Sequence, residues 1–231
     1  ACTKILKWAI ASESGIRRSA MLSLARCEVA IGPEDLDPEG TAYLLNCLNG
    51  TIDLKTGELL PHDRKQHITK LAPFVFDPTA QCPRWMGFLL RIFADDVELI
   101  YFLQQALGCS VIGATLAKIF LVLWGSGQNG KTVFLEAISQ ILGDYAGTAS
   151  VQLFMESRNN DIPHGLAGLK GVRFLSASET QEGSKLAVSL IKRLTGGDMV
   201  QARFLYAEPF SFRPVFTPWM ATNQKPVIPN G

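Results

Sequence analysis

Residues 3–30 carry apolar side chains at helical spacing, with Ile16, Ala20, Met21, Leu24 and Ala25 on one face, and the pattern breaks near Ser14–Gly15. Two helices are expected there. The acidic Pro/Gly stretch GPEDLDPEG (32–40) reads as a linker. LLNCLNGTIDLKTGELLPH (44–62) then gives short apolar strands around the turn formers Asn49–Gly50 and Lys55–Thr56–Gly57, a hairpin pattern. From Pro83 the period turns helical: Trp85, Phe88, Leu89 and Ile92 form one stripe, read as core. After a break at Ala94–Asp95–Asp96, a second stripe holds Val97, Ile100, Phe102, Leu103 and Leu107, with a stop expected at Gly108. The remainder alternates: strand 119–124, helix 131–142, strand 172–177, helix 185–194, two strands across 201–213, and a strand over 215–222. Pro218 has no N–H for a sheet ladder, so the regular part of the last strand is expected from Trp219. This alternation predicts an α/β sheet with helices on its faces.

Composition narrows the function classes. With 231 residues, 47% hydrophobic and 19% charged, the chain can bury a core, so disorder is not expected. A net charge of +1 gives no global basic field, so contact with DNA or RNA has to come from a local patch. The five cysteines are scattered without a C-x-x-C pair, and the three histidines lie near none of them at metal-ligand spacing. Neither a zinc site nor a disulfide framework is expected, and the cysteines fit a reducing compartment. The start is too short for a signal-peptide core, and no apolar run reaches the roughly 18 residues of a membrane helix. A soluble protein without membrane association is the expectation. The chain begins without Met and already in a helix-like pattern, so it reads as a piece of something longer.

The chemistry starts at Gly125-Ser126-Gly127-Gln128-Asn129-Gly130-Lys131-Thr132, which fits G-x-x-x-x-G-K-[ST] at every position. Glycines let the backbone wrap so that its N–H groups face a phosphate, and the helix from Lys131 adds its positive end. Lys131 can reach the β- and γ-phosphates of a nucleotide, and the Thr132 hydroxyl can take Mg²⁺. An apolar strand precedes the loop, and an amphipathic helix with Phe134, Leu135, Ile138, Ile141 and Leu142 follows. Such a site also needs an acid at a neighbouring strand tip. GVRFLSASETQEG (171–183) is the apolar strand that ends in acid. Glu179 is the expected water-activating base and metal-side acid, Ser178 stands where a second acid is usual, and Glu182 is the possible substitute. FTPWMATNQKP (216–226) ends its strand in Thr222–Asn223, where an amide can orient the attacking water and sense the γ-phosphate. A GTPase needs N-K-x-D for guanine, and NQKP is not that.

Taken in order, LLNCLNGTIDLKTGELLPH, DPTAQCPRW, GSGQNGKT, GLKGVRFLSASETQEG, IKRLTGGDMVQARFLYAEPFSF and ATNQKP resemble the superfamily 3 helicases of the phage- and plasmid-type primase–helicase group. The likeness covers most of the chain. It implies an α/β fold: an AAA+-like P-loop ATPase core with a three-layer, mostly parallel sheet (84–231), preceded by a smaller, mainly helical N-terminal region with a β-hairpin (1–83). It implies ATP and Mg²⁺ as cofactors, a hexameric ring on single-stranded or forked DNA, 3′-to-5′ movement, and a linked primase domain or replication initiator. The implied setting is the cytoplasm of a bacterial host that carries the phage, prophage or plasmid. Asn223 becomes the phosphate sensor, and 199–213 the hairpin that grips DNA.

In that hairpin Phe204 and Tyr206 alternate, as do Phe210 and Phe212, so each pair is expected on one side of its strand, with at least one pair in the core. Lys192, Arg193, Arg203 and Tyr206 are the candidate DNA contacts, Arg203 first, since cations beside aromatics suit a single strand. The family's arginine finger is expected beyond Gly231, because QKPVIPNG holds no arginine; Lys225 or Arg193 would be the substitutes. Two other readings stay open on the residues alone. One is a P-loop phosphotransferase, though 143–170 offers only Arg158 for a second phosphate. The other is a catalytically inert docking module for replication proteins.

Overall fold

The N-terminal helical pattern breaks where Ser14 and Gly15 predict: α1 spans Cys2–Ser12 and α2 spans Gly15–Glu28. The computed structural model describes residues 2–28, 31–32, 35–156, 165–178, 185–204 and 206–229. Residues 1–36 form one compact unit and 37–231 another. None of the described helices is long and apolar enough to cross a membrane.

The second unit begins with an antiparallel sheet of β1 (Leu44–Cys47), β2 (Gly50–Asp53) and β3 (Leu59–Leu60). Strands this short cannot bury a face among themselves. Leu45, Cys47 and Ile52 instead share a core with Leu89, Leu103, Phe134, Phe174 and Trp219, so the packing runs across residue 83. Helices α3 (Pro83–Ile92) and α4 (Val97–Val111) follow. Pro83 sits in the first turn, where its missing N–H costs nothing. The Asp96 carboxylate accepts the Leu99 N–H at 2.9 Å and caps α4.

Helix α4 does not stop at Gly108. No foreign atom approaches that glycine, and the helix runs to Val111 because Ile100, Leu103, Ala106 and Ser110 pin its inner face. Burying that face outweighs the roughly 1 kcal/mol a helical glycine costs. Val97 and Phe102 lie off that face and are exposed, against the expected stripe. Buried Ser110 is there for Trp219: the fully buried indole N–H donates to its Oγ at 2.9 Å.

The main sheet is wholly parallel. It holds β4 (Leu121–Trp124), β5 (Ala146–Ser150), β6 (Phe174–Ser178) and β9 (Thr217–Thr222) in the order β4-β9-β6-β5. Edge strand β5 (AGTAS) is too poor in apolar residues for sequence patterning to reveal. Helix α5 (Lys131–Leu142) covers one face, where Phe134 and Leu135 meet Phe174, Trp219 and Ala221. On the other face Leu175 and Ala177 pack against Leu194 of α6 (Val188–Gly196) and against the hairpin β7 (Val200–Ala202) and β8 (Phe210–Phe212). With both faces covered, β6 is buried at four consecutive positions, as parallel strands usually are. Helix α6 starts later than expected because Lys185 and Leu186 are drawn into bridges with Val227 and Met155.

Pro218 lies inside β9, contrary to the expected start at Trp219, and opposite Leu175 of β6. The neighbouring Thr217 N–H turns to the β6 side and donates to the Arg173 carbonyl at 2.8 Å. Successive groups alternate along a strand, so the donor that proline lacks would face β4, whose pairing begins only at Leu121 opposite Trp219. No ladder bond is lost.

Arg173, just before β6, is 6% exposed and is satisfied by main-chain oxygens. One guanidinium nitrogen donates to Val111 O at 3.0 Å; another donates to Leu44 O at 2.9 Å and Thr41 O at 3.4 Å. The group stacks on Tyr145, 4.5 Å from the ring centroid. Burial pushes its pKa below the ordinary arginine value. Val111 ends α4, so the cation also meets that helix's negative end. Arg173→Lys cannot span these carbonyls and leaves buried acceptors unpaired. Urea unfolding should show a loss of about 2–3 kcal/mol at constant slope; a change under about 0.5 kcal/mol would mean water replaces the fork.

Candidate functional site

Register in the parallel sheet sets three strand ends side by side. Trp124 of β4 pairs with Thr222 of β9, and Ala221 of β9 pairs with Ser178 of β6. The glycine-rich loop and Asn223 therefore leave the sheet beside Ser178, the last residue of β6, along the carboxyl edge where open α/β sheets bind ligands. The Gly125 N–H donates to the Thr222 carbonyl at 3.3 Å and ties the loop to β9.

Within the loop, Gln128 takes φ +61° and Gly130 takes φ +83°, so the chain enters α5 through left-handed turns. Gly130 has no alternative. A Cβ there would lie 2.9 Å from Ile92 Cγ2 and 3.3 Å from the Phe88 ring, both on α3. The aromatic stripe of α3 is thus core, as expected, and also the wall behind the loop. At Gly125 a Cβ would fall 2.4 Å from Asn129 Nδ2 and push that side chain away.

Asn129 matters because its Oδ1 accepts from Lys131 Nζ at 2.8 Å. The same ammonium donates to Gly125 O at 2.8 Å, Ser126 O at 3.3 Å and Asn223 Oδ1 at 3.1 Å. Loop lysine and strand-tip amide, 92 residues apart, are in contact. Desolvation lowers the Lys131 pKa from its ordinary value. The cluster is a cation caged by neutral oxygens at the start of a helix whose first N–H groups have no intrahelical partner. An anionic oxygen offered here finds the ammonium, the amides and the helix dipole together. Ser126, Gly127 and Gln128 are exposed around this cage.

Below the loop a cleft of about 230 Å³ opens between Thr132, Glu136 and Ser139 on α5 and Thr148, Ser176 and Ser178 on β5 and β6. Thr132 and Ser178, the metal-side candidates, line it from opposite walls. Among the described residues no group of three or more His, Cys, Asp or Glu could hold a metal by itself. Hydroxyls such as these would suit a hard cation like magnesium that keeps most of its waters. Glu179 and Glu182 lie outside the described residues.

The candidate DNA contacts sit on the opposite face of the sheet. Lys192 and Arg193 are exposed on α6, and Arg203 is exposed just past β7. Tyr206 is 98% exposed with φ +61°. Phe204 and Tyr206 do not form a strand pair, because β7 ends at Ala202 and the backbone turns left-handed at Tyr206. Phe204 stacks on Phe210 at 5.7 Å, Phe210 lies 6.0 Å from Phe212, and Phe212 is buried, so that pair is the core side. Lys225 lies 5.7 Å from the Trp124 ring centroid, beside the loop. Sequence reasoning missed Arg173; the signal was one cation inside an otherwise apolar strand, GVRFL.

Residues 2–94 match the family described as "D5 N terminal like", and residues 123–231 match a family of unknown function (DUF5906). Similar proteins include "Putative helicase L207/L206" of Acanthamoeba polyphaga mimivirus, 29% identical over 80% of this chain and 20% of its own length. "Putative primase C962R" of African swine fever virus (isolate Tick/Malawi/Lil 20-1/1983) is 26% identical over the same shares. Together these matches support a likeness to D5-like primase–helicases. The chain spans about a fifth of the length of these curated relatives. Among solved structures, the apo C-terminal region of NrS-1 superposes with a TM-score of 0.51 at 11% identity, over 66% of this chain and 35% of that one. At that identity the likeness bears on the fold alone, a mixed α/β arrangement with a parallel sheet.

The loop geometry makes a stability prediction. Gly130→Ala forces a left-handed alanine against Ile92 and should cost about 1–3 kcal/mol. Gly127→Ala, with no atom within 4 Å of its Cβ position, is the near-neutral control. Equal melting temperatures for the two variants would show that the α3 wall gives way.

Proposed function

We propose that the chain is the motor portion of an ATP-dependent DNA helicase, a superfamily 3 protein with an AAA+-like P-loop core. The observation that carries this is the 3.1 Å contact between Lys131 Nζ and Asn223 Oδ1, at the edge where three parallel strands end. A phosphate-binding lysine and a polar residue beside the γ-phosphate are the two protein groups that nucleotide hydrolysis needs on that side.

In this reading Gly125 to Gly130 wrap the phosphates with main-chain N–H groups, and Lys131 exchanges its neutral oxygen cage for β- and γ-phosphate oxygens. Thr132 holds the metal side. Glu179, which follows Ser178 in sequence, takes the proton of the attacking water, and Asn223 orients that water. Magnesium neutralises charge on the β and γ oxygens when bound. Lys192, Arg193, Arg203 and Tyr206 face single-stranded or forked DNA. A hexameric ring of this chain and a primase domain or initiator in the same replication assembly complete the proposal. So does residence in the cytoplasm of a host that carries a virus, phage or plasmid, and the viral source of the relatives named above supports a mobile replicon.

Lys131→Ala should abolish ATP hydrolysis and weaken nucleotide binding, whereas Glu179→Gln should retain ATP and stop hydrolysis, because its amide cannot accept the proton. Calorimetric binding beside phosphate release checks both, in the full-length parent with and without single-stranded DNA. Wild-type hydrolysis in Lys131→Ala, or stimulation by a small acceptor instead of DNA, sinks the reading. Arg203→Ala should leave basal hydrolysis intact and reduce the salt slope of DNA binding by about one charge. An unchanged slope would move the grip to another residue.

A further inference from the structure

The nucleotide reading leaves one position chemically short. Ser178 ends β6 on the metal side of the cleft, and a serine hydroxyl there carries no charge. Magnesium sites that rely on substrate phosphates normally add one or two carboxylates from the protein. Among the described residues that line the cleft, a single one is a carboxylate: Glu136. It lies four residues after Thr132 on α5, so the two share one face of the helix. Helical side chains lean toward the N-terminus, over the preceding turn, which carries the Glu136 carboxylate toward the Thr132 hydroxyl and away from the far end of the cleft. The rest of the lining combines the apolar Leu135 and Ala177 with groups that can hold water: hydroxyls of Thr132, Ser139, Thr148, Ser176 and Ser178, and the Gln140 amide. Thr148 and Ser176 already satisfy one another at 3.3 Å, and Ser176 also donates to Gly147 O at 3.3 Å, so the polar wall is in place without Glu136.

We propose that Glu136 supplies the metal-side carboxylate that Ser178 lacks, accepting hydrogen bonds from waters of the nucleotide-bound magnesium across the cleft. In this assignment the helix that carries Thr132 also carries an acid, Glu136. This assignment rests on the nucleotide reading above, and it makes Glu136 a positioning residue that acts through metal-bound water. The cleft and the helix face carry it together: Glu136, Thr132 and Ser178 line the same cleft, and the first two share one face of α5.

The test measures ATP binding by calorimetry in excess EDTA and again across a Mg²⁺ titration, for the whole chain and for Glu136→Gln. Mn²⁺ in place of Mg²⁺ gives a spectroscopic readout of the metal shell by electron paramagnetic resonance. Glu136→Gln should bind ATP normally in EDTA, while the Mg²⁺ concentration for half-maximal tightening rises about 10- to 100-fold, the usual cost of losing an outer-shell partner. Adding Ser178→Asp to Glu136→Gln returns a carboxylate to the strand tip and should recover most of that loss, which a purely structural role for Glu136 would not allow. Glu136 is exposed, so the substitution leaves the fold standing, and matched urea unfolding checks this. The proposal is overturned if Glu136→Gln and wild type bind ATP with the same Mg²⁺ dependence and the same Mn²⁺ spectrum. If wild type binds no ATP with or without metal, the nucleotide reading itself falls and this assignment falls with it.

Discussion

The fold depends on a positive charge that is buried against main-chain oxygens. Taking a guanidinium out of water is costly unless nearly every N–H finds an acceptor. Arg173 finds three main-chain acceptors: Thr41 and Leu44 at the start of the small antiparallel sheet, and Val111 at the end of α4. Its own main chain does the same for the large sheet, accepting from Thr217 of β9 and donating to Tyr145 ahead of β5. One residue thus joins the hairpin sheet, α4 and three parallel strands. The group requires these partners together, since a missing carbonyl leaves a buried donor at about 1–3 kcal/mol. Gly113 belongs to the same constraint, because a Cβ there would come within 3.0 Å of the guanidinium.

This anchoring explains which features the sequence discloses. The glycine-rich loop, the limits of α5, the Ser14–Gly15 break and the two hairpins are local events, fixed by turn chemistry and periodicity within a few residues. Pro218, Gly108 and Phe102 are decided at long range. Pro218 is admissible in a central strand because β4 begins one residue too late to want its N–H. Gly108 is carried through α4 by Ser110, whose reason for burial is an indole 109 residues away. Phe102 completes a helical stripe on paper, but the packed face is set by Ile100, Leu103 and Ala106 against the hairpin sheet. Arg173 is the extreme case, an arginine in an apolar strand whose partners lie up to 132 residues distant.

At the candidate site, the order of the strands carries the chemistry. With β9 between β4 and β6, Asn223 is placed between the loop and the end of β6. The lysine cage then links two states of the proposed motor. With neutral carbonyl and amide oxygens around it, Lys131 holds Asn223 through an ordinary hydrogen bond. A phosphate oxygen competes for the same protons with a bond about twice as strong. Asn223 would thereby be freed for water only when phosphate has replaced it. A sensor needs that exchange, and it follows from one ammonium having three protons for four oxygens already in reach.

Strand β6 connects that exchange to the other face of the sheet. Phe174 and Ser176 look toward α5, while Leu175 and Ala177 form the floor on which Leu194, Val200, Ala202 and Phe212 stand. The β7–β8 ladder spans only three residue pairs, too few to hold a projecting hairpin straight. Stiffness comes instead from Phe204 on Phe210 and Phe210 beside Phe212, an aromatic column that continues into the buried core. Arg203 and Tyr206, exposed around that column, are carried by packing that reaches the sheet. In a motor of the proposed kind, displacement of the end of β6 by phosphate chemistry would be passed to the DNA-facing residues through close-packed side chains, which resist compression better than a short ladder resists bending.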